Sequence, residues 1–127
     1  MKKKPIVLCV GNCFADQSSL EWLLTREFDV QLQHCDTTAE VMANLDQEST
    51  ALVLVNRIFD RDGAAGLDLI AHIKADSRYN SIPIMMLSNY AQYQEEAVRL
   101  GAEPGFGKSE IHSASTVTKL ANYLPRN

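Results

Sequence analysis

Chemistry in this chain is best sought where apolar runs end in polar residues. "PIVLCV" runs into Gly11 and Asn12, "ALVLV" into Asn56, "IPIMML" into Ser88, and "EPGFG" into Lys108. Asn56 together with Lys108 could bind an anion, because both donate hydrogen bonds. A carboxamide adds a donor and an acceptor, but neither charge nor a useful nucleophile. Asn56 therefore reads first as a hydrogen-bonding group for buried polar neighbours, and Ser88 as a local cap for the segment after it. Asp60 and Asp62, in "RIFDRDGAA", read as solvated loop acids rather than metal ligands, because a hard cation needs several oxygen ligands together. Cys13, Cys35 and His34 could suggest zinc or redox chemistry. Strand periodicity sends His34 and Cys35 to opposite faces, which argues against it. His72 and His112 stand alone on helical segments and read as surface residues. Tyr90, Tyr93 and Arg99 fall on one helical segment and are the candidate partner surface.

The segments that must position these residues alternate between strand and helix patterns. Residues 5–10 read as a strand and 16–28 as a helix capped by Asp16, with Leu20, Leu23, Leu24 and Phe28 as its apolar stripe and Trp22 off it. Residues 29–35 alternate as an edge strand, and 37–48 begin with the Thr37/Glu40 capping box. Residues 51–56 are a continuous apolar strand. Residues 66–77 are a helix with Leu67, Ile70, Ala71, Ile73 and the stem of Lys74 inward. Residues 82–88 are a strand, and 90–102 a helix stopped by Gly101. Residues 103–108 are a short strand, and 109–124 a helix capped by Ser109. Five βα units with right-handed crossovers predict an α/β, flavodoxin-like (βα)5 doubly wound three-layer sandwich. Its parallel five-stranded sheet has the order 2-1-3-4-5. The ends of the first, third, fourth and fifth strands then converge at the switch point.

Bulk properties narrow the function. The 127 residues suit one domain, 1–127, with a real core. A net charge of −4 supplies no basic field for nucleic acid. The only basic run, Lys2 to Lys4, reads as a solvated tail. No segment reaches the ~20 apolar residues that span a bilayer, and "PIVLCVG" is too short for a signal peptide. A cytoplasmic location is expected. Three cysteines without a CxxC pattern do not make a disulfide framework.

In order and spacing, "IVLCVGN", "LVLVN", "GLDLIAHIK", "IPIMMLSN" and "AVRLGAEPGFGKS" together resemble a response-regulator receiver domain of two-component signalling. The resemblance covers most of the chain. It implies two carboxylates after the first strand that hold Mg²⁺, and an aspartate ending the third strand that accepts a phosphoryl group. It also implies a Ser or Thr ending the fourth strand and a Lys ending the fifth. Carried over by position, the acidic pair becomes Gly11 and Asn12 and the acceptor becomes Asn56, whereas Ser88 and Lys108 are retained. The switch aromatic falls at Gly105, with Phe106 one residue later on the opposite strand face. Ser109 stands where the family has a cis proline, so a trans bond is expected. By the same resemblance Asn56 should face Lys108.

These readings imply a pseudo-receiver that is not an enzyme and uses no cofactor and no metal. It would act independently of phosphorylation, binding another signalling protein or domain through the fourth helix, fifth strand and fifth helix, with no direct contact to nucleic acid or membrane. Two alternatives stay open: a phosphoacceptor receiver with a non-standard site, and a small-ligand module of flavodoxin type. The latter would hold phosphate or flavin at "GNCFADQSS", where Ser18 and Ser19 lie near a helix start.

Overall fold

Period two along the apolar strands decides which helices cover which face of the sheet. In the computed structural model, which describes residues 4–127, ten main elements follow one another. They are β1 (Ile6–Val10), α1 (Phe14–Glu27), β2 (Gln31–Cys35), α2 (Thr38–Asn44), β3 (Thr50–Asn56), α3 (Gly66–Lys74), β4 (Ile84–Leu87), α4 (Ala91–Arg99), β5 (Glu103–Phe106) and α5 (Ala114–Leu120), with a turn of 3-10 helix, Lys108–Glu110, before the last. The strands are parallel and run in the order β2-β1-β3-β4-β5. Val7, Cys9, Leu52, Leu54, Met85 and Leu87 pack against Leu20 and Leu24 of α1 and Leu120 of α5. Leu8, Val10, Val53, Val55, Ile84 and Met86 pack against Val41 of α2, Ile70 and Ile73 of α3 and Ala97 of α4. All these side chains are buried, and each Val, Leu, Ile or Met among them contributes about 1.5–3 kcal/mol of burial free energy. The fold is thus the expected flavodoxin-like sandwich. Among the described residues no helix is long and apolar enough to cross a membrane. Lys2 and Lys3 of the basic run lie outside the described residues.

Several boundaries differ from the sequence reading, and two of them reach the site. α1 starts at Phe14, because Cys13 takes the extended cap conformation (φ −68°, ψ 169°). Asp16 therefore lies in the first helical turn and does not cap. The expected helix over 109–124 is broken into the 3-10 turn and α5, whose cap position is Ser113. Ser109 turns its hydroxyl to Asn89 instead. α2 ends at Asn44, short of residue 48. On α3 Leu69 is buried and Ala71 exposed, because the helix rotates its 66, 69, 70, 73 stripe inward. α4 is stopped as expected at Gly101 (φ +110°), where the Gly101 and Ala102 amides close onto the carbonyls of Val98 and Ala97, each at 3.0 Å. No described peptide bond is cis, so Lys108–Ser109 is trans.

Candidate functional site

The C-terminal ends of β1 and β3 form one half of the site, and Gly11 sets its shape. Gly11 has φ +78°. A Cβ there would lie 2.4 Å from a ring carbon of Phe59. Phe59 reaches this place because the loop after β3 folds back on itself. The Phe59 amide donates to the Ala64 carbonyl at 2.9 Å, and the Gly63 amide to the Phe59 carbonyl at 2.9 Å. The Asp60 amide then donates to the Gly11 carbonyl at 2.9 Å, and the Phe59 ring is buried. Gly66 lets α3 start tight against the strand end, since a Cβ there would meet the Asn56 carbonyl oxygen at 2.2 Å.

Asn56 is buried and fully engaged. Its Nδ2 donates to the carbonyls of Gly11 (3.0 Å) and Ile58 (2.8 Å), and its Oδ1 accepts from the Arg57 amide at 3.1 Å. The carboxamide thus ties the β1 end to the loop after β3, using both donor hydrogens, which an ionised carboxylate lacks. Asn12, also buried, turns toward α1 and donates to Gln17 Oε1 at 3.4 Å. Its Oδ1 has no hydrogen-bond partner among the described residues.

The ends of β4 and β5 form the other half. Ser88 Oγ accepts from the Tyr90 amide at 3.1 Å, so the hydroxyl shapes the turn into α4, two residues before the helix cap. Lys108 Nζ sits 2.5 Å from Asp16 Oδ2 on α1. Asn89 Oδ1 accepts from the Ser109 amide (3.1 Å) and hydroxyl (2.9 Å), joining the two loops. Gly107 makes room for that clasp, because a Cβ would meet Asn89 Oδ1 at 2.1 Å. Behind them, the β4–β5 pairing shifts register between Met85 and Leu87. The Gln94 side chain fills the gap. Its Nε2 donates to the carbonyls of Met86 (2.9 Å) and Ser88 (3.1 Å), and its Oε1 accepts from the Gly105 amide at 3.0 Å.

The structure therefore gathers Gly11, Asn56, Ser88 and Lys108 at one end of the sheet, but with partners the sequence reading did not assign. Lys108 bonds Asp16 and not Asn56. Phe106 lies on the face opposite Gly105 as period two requires, buried beside Leu87 on the α1/α5 side. Gly105 faces α4, where a Cβ would meet the Met86 carbonyl oxygen at 2.1 Å. Tyr90 and Tyr93 stand edge-on, 6.0 Å apart, and the cation over their rings is Arg57, at 5.7 and 4.7 Å. Arg99 pairs with Glu95 at 4.0 Å instead. Asp62 accepts the Ala64 amide inside its own loop. His34 is exposed and 3.3 Å from Asp36, while Cys35 is buried. Burial pushes the Cys9 thiol up to about 12 and Cys35 to about 11, which keeps both protonated and unreactive at neutral pH. His112 is exposed but not alone, packing edge-on to Trp22 at 5.1 Å. Ser19 bonds the Ala15 carbonyl within α1, so Ser18 and Ser19 lie in a helix and not in a phosphate-cradling loop.

Phe59 and Gln94 escaped the sequence reading, and Asp16 was assigned to a helix cap and not to Lys108. The Asp62–Gly63 pair was a turn signal that could have placed Phe59, and the inward phase of Gln17 and Leu20 could have started α1 earlier. No signal marked Gln94. The donor set does not fit Mg²⁺, which favours carboxylate oxygens. Gly11 has no side chain and Phe59 blocks its place, Asn12 turns into α1, and Asp16 is held by Lys108. Among the described residues no group of three His, Cys, Asp or Glu gathers closely enough to hold a metal ion.

Two depressions flank Asn56. One, of about 170 Å³, lies between Ile58, Ser88, Tyr90 and Lys108; the other, of about 420 Å³, lies between Cys13, Asp16, Asp60 and Lys108. The rim carries exposed Ile58 and Tyr90. The arrangement offers hydrogen bonds and apolar contact.

No protein-family model and no curated protein matches the chain. By structure it is similar to a putative response regulator from Chloroflexus aurantiacus J-10-fl, with TM-score 0.79 and 16% identity over 96% of this chain and 98% of that one. It is similar to the chemotaxis response regulator CheY4 of Vibrio cholerae, with TM-score 0.73 and 15% identity over 96% and 100%. The receiver domain of NtrX from Brucella abortus gives TM-score 0.73 and 19% identity over 91% and 94%. At these identities the likeness establishes the fold.

Proposed function

We propose that this chain is a receiver-like signalling module that works without phosphorylation, by binding another signalling protein or domain. The observation that carries this reading is the seal between Gly11 and Phe59. It occupies the place where a receiver would hold a metal-binding carboxylate, beside an Asn56 whose amide is spent on two carbonyls. Phosphoryl transfer depends on positioning and on neutralising the equatorial oxygens, and these residues supply neither. The partner face is α4, β5 and α5. A depression of about 330 Å³ there is lined by Gln94, Glu95, Val98, Pro104 and Gly105, with Val98 and Leu100 exposed at its side.

The test is incubation with acetyl phosphate and Mg²⁺, followed by intact-mass spectrometry. Unmodified protein is expected. A phosphoryl adduct would overturn the reading and favour a non-standard acceptor, for which Asp16 and Asp60 are the carboxylates lining the wider depression. A partner retained by the native chain should be lost on Val98→Asp.

A further inference from the structure

The outward face of α1 carries a pattern that the site does not use. Glu21, Trp22, Thr25 and Arg26 are all exposed on it, and their i, i+1, i+4, i+5 spacing places them on one side of the helix. Trp22, the only tryptophan of the chain, is 48% exposed. The Arg26 guanidinium lies over its ring at 4.9 Å, and His112 packs against its edge at 5.1 Å. Beside this cluster, between α1 and α5, runs a groove of about 430 Å³ with Leu23, Ala114 and Val117 among its lining residues. Arg26 has no carboxylate partner among the described residues, and Glu21 has no cation, only the Gln17 amide at 3.2 Å.

From this charge complementarity we propose that the α1 face is a self-association surface, on which two copies of the chain form a two-fold dimer. In two parallel α1 helices related by a two-fold axis that runs along them, Glu21 of one copy lies on the same flank of the seam as Arg26 of the other, five residues further along, which is the spacing of interhelical ion pairs in a parallel two-stranded coil. Trp22 then stands opposite Trp22 of the facing copy, and Thr25 opposite Thr25. A two-fold interface repeats every contact, so one sequence pattern yields two ion pairs and buries two indoles. The ion pairs fix register and orientation, while the indoles supply most of the affinity. This surface shares α5 with the proposed partner face but lies on the opposite side of the sheet from α4, and it rests on α1 residues that the proposed function does not use.

Sedimentation of the intact chain from micromolar to millimolar concentration tests it, with Trp22 emission followed in parallel. A reversible dimer is expected, whose formation shifts the emission to shorter wavelength with the same midpoint. Arg26→Glu and Glu21→Arg should each weaken it at least about tenfold, by setting like charges opposite each other, and the double exchange should restore it. A monomer up to millimolar concentration would overturn the proposal, as would a dimer indifferent to the single exchanges or one with unchanged emission. A dimer dissociated by Val98→Asp instead would place self-association on α4.

Discussion

The two halves of the sheet's C-terminal edge depart in different ways from the arrangement that the sequence resemblance implies. At β1 and β3 the residue types differ from the implied ones, and the space is closed: Gly11 lies under the Phe59 ring and Asn56 bonds backbone carbonyls. At β4 and β5 the types match, but the partners differ: Ser88 holds a turn, Lys108 holds Asp16, and Gln94 holds the strands together. A matching residue type is therefore no guarantee of a matching role. What a side chain can do is set by the groups already bonded to it. A lysine held by a carboxylate is compensated, whereas the same lysine facing an open cavity would attract an anion.

Substitutions can break or sharpen this contrast. The largest effect is expected from Gly11→Asp. It forces a side chain into a left-handed conformation and into the Phe59 ring, and should cost about 2–4 kcal/mol by urea denaturation. A neutral result would show that the loop after β3 yields easily, and that the closed half is not closed.

Asn56→Asp comes next. The new carboxylate would face the two carbonyl oxygens that the amide now donates to, and the loss should be about 2–3 kcal/mol at neutral pH. Those oxygens and burial raise the folded-state pKa of the new acid above its unfolded value of about 3.9. Its neutral form is then the better tolerated one. The penalty should be smallest below the unfolded pKa and should grow as pH rises through the folded one. A penalty that shrinks as pH rises would mean that Lys108 leaves Asp16 for the new carboxylate.

The smallest effect is expected in the half with new partners. Gln94→Ala removes three hydrogen bonds but exposes the freed backbone groups to solvent beside α4, and should cost about 1–2 kcal/mol. Hydrogen exchange should show faster loss of protection at Gly105, whose amide donates to Gln94, with β1 and β3 unchanged. Equal loosening at β1 would show that the two halves are not independent.

Particular residues show how far the sequence carried. The alternation of apolar runs and stripes fixed ten elements and their order, because period two and period 3.6 are local properties. That Gly11, Asn12 and Asn56 carry no carboxylate could be read directly from the strand ends. Whether Lys108 would meet Asn56 could not. That depends on where α1 begins, and Cys13 rather than Asp16 takes the cap. Helix starts are set by a few weak capping preferences, each about 1 kcal/mol, which packing of Leu20 and Leu24 against the sheet easily overrides.

The sequence by itself determined the sheet order, the two apolar faces, and the carboxamide that ends the third strand, since these follow from residue types and their spacing along one segment. Only the tertiary structure decided that Phe59 closes over Gly11, that Asp16 takes Lys108 across 92 positions, and that Gln94 completes the β4–β5 ladder. Each of these joins segments distant in the chain, through a loop or helix whose exact placement is a compromise among many contacts. No local pattern of residues encodes that compromise, because the energies that settle it exist only once the segments have packed.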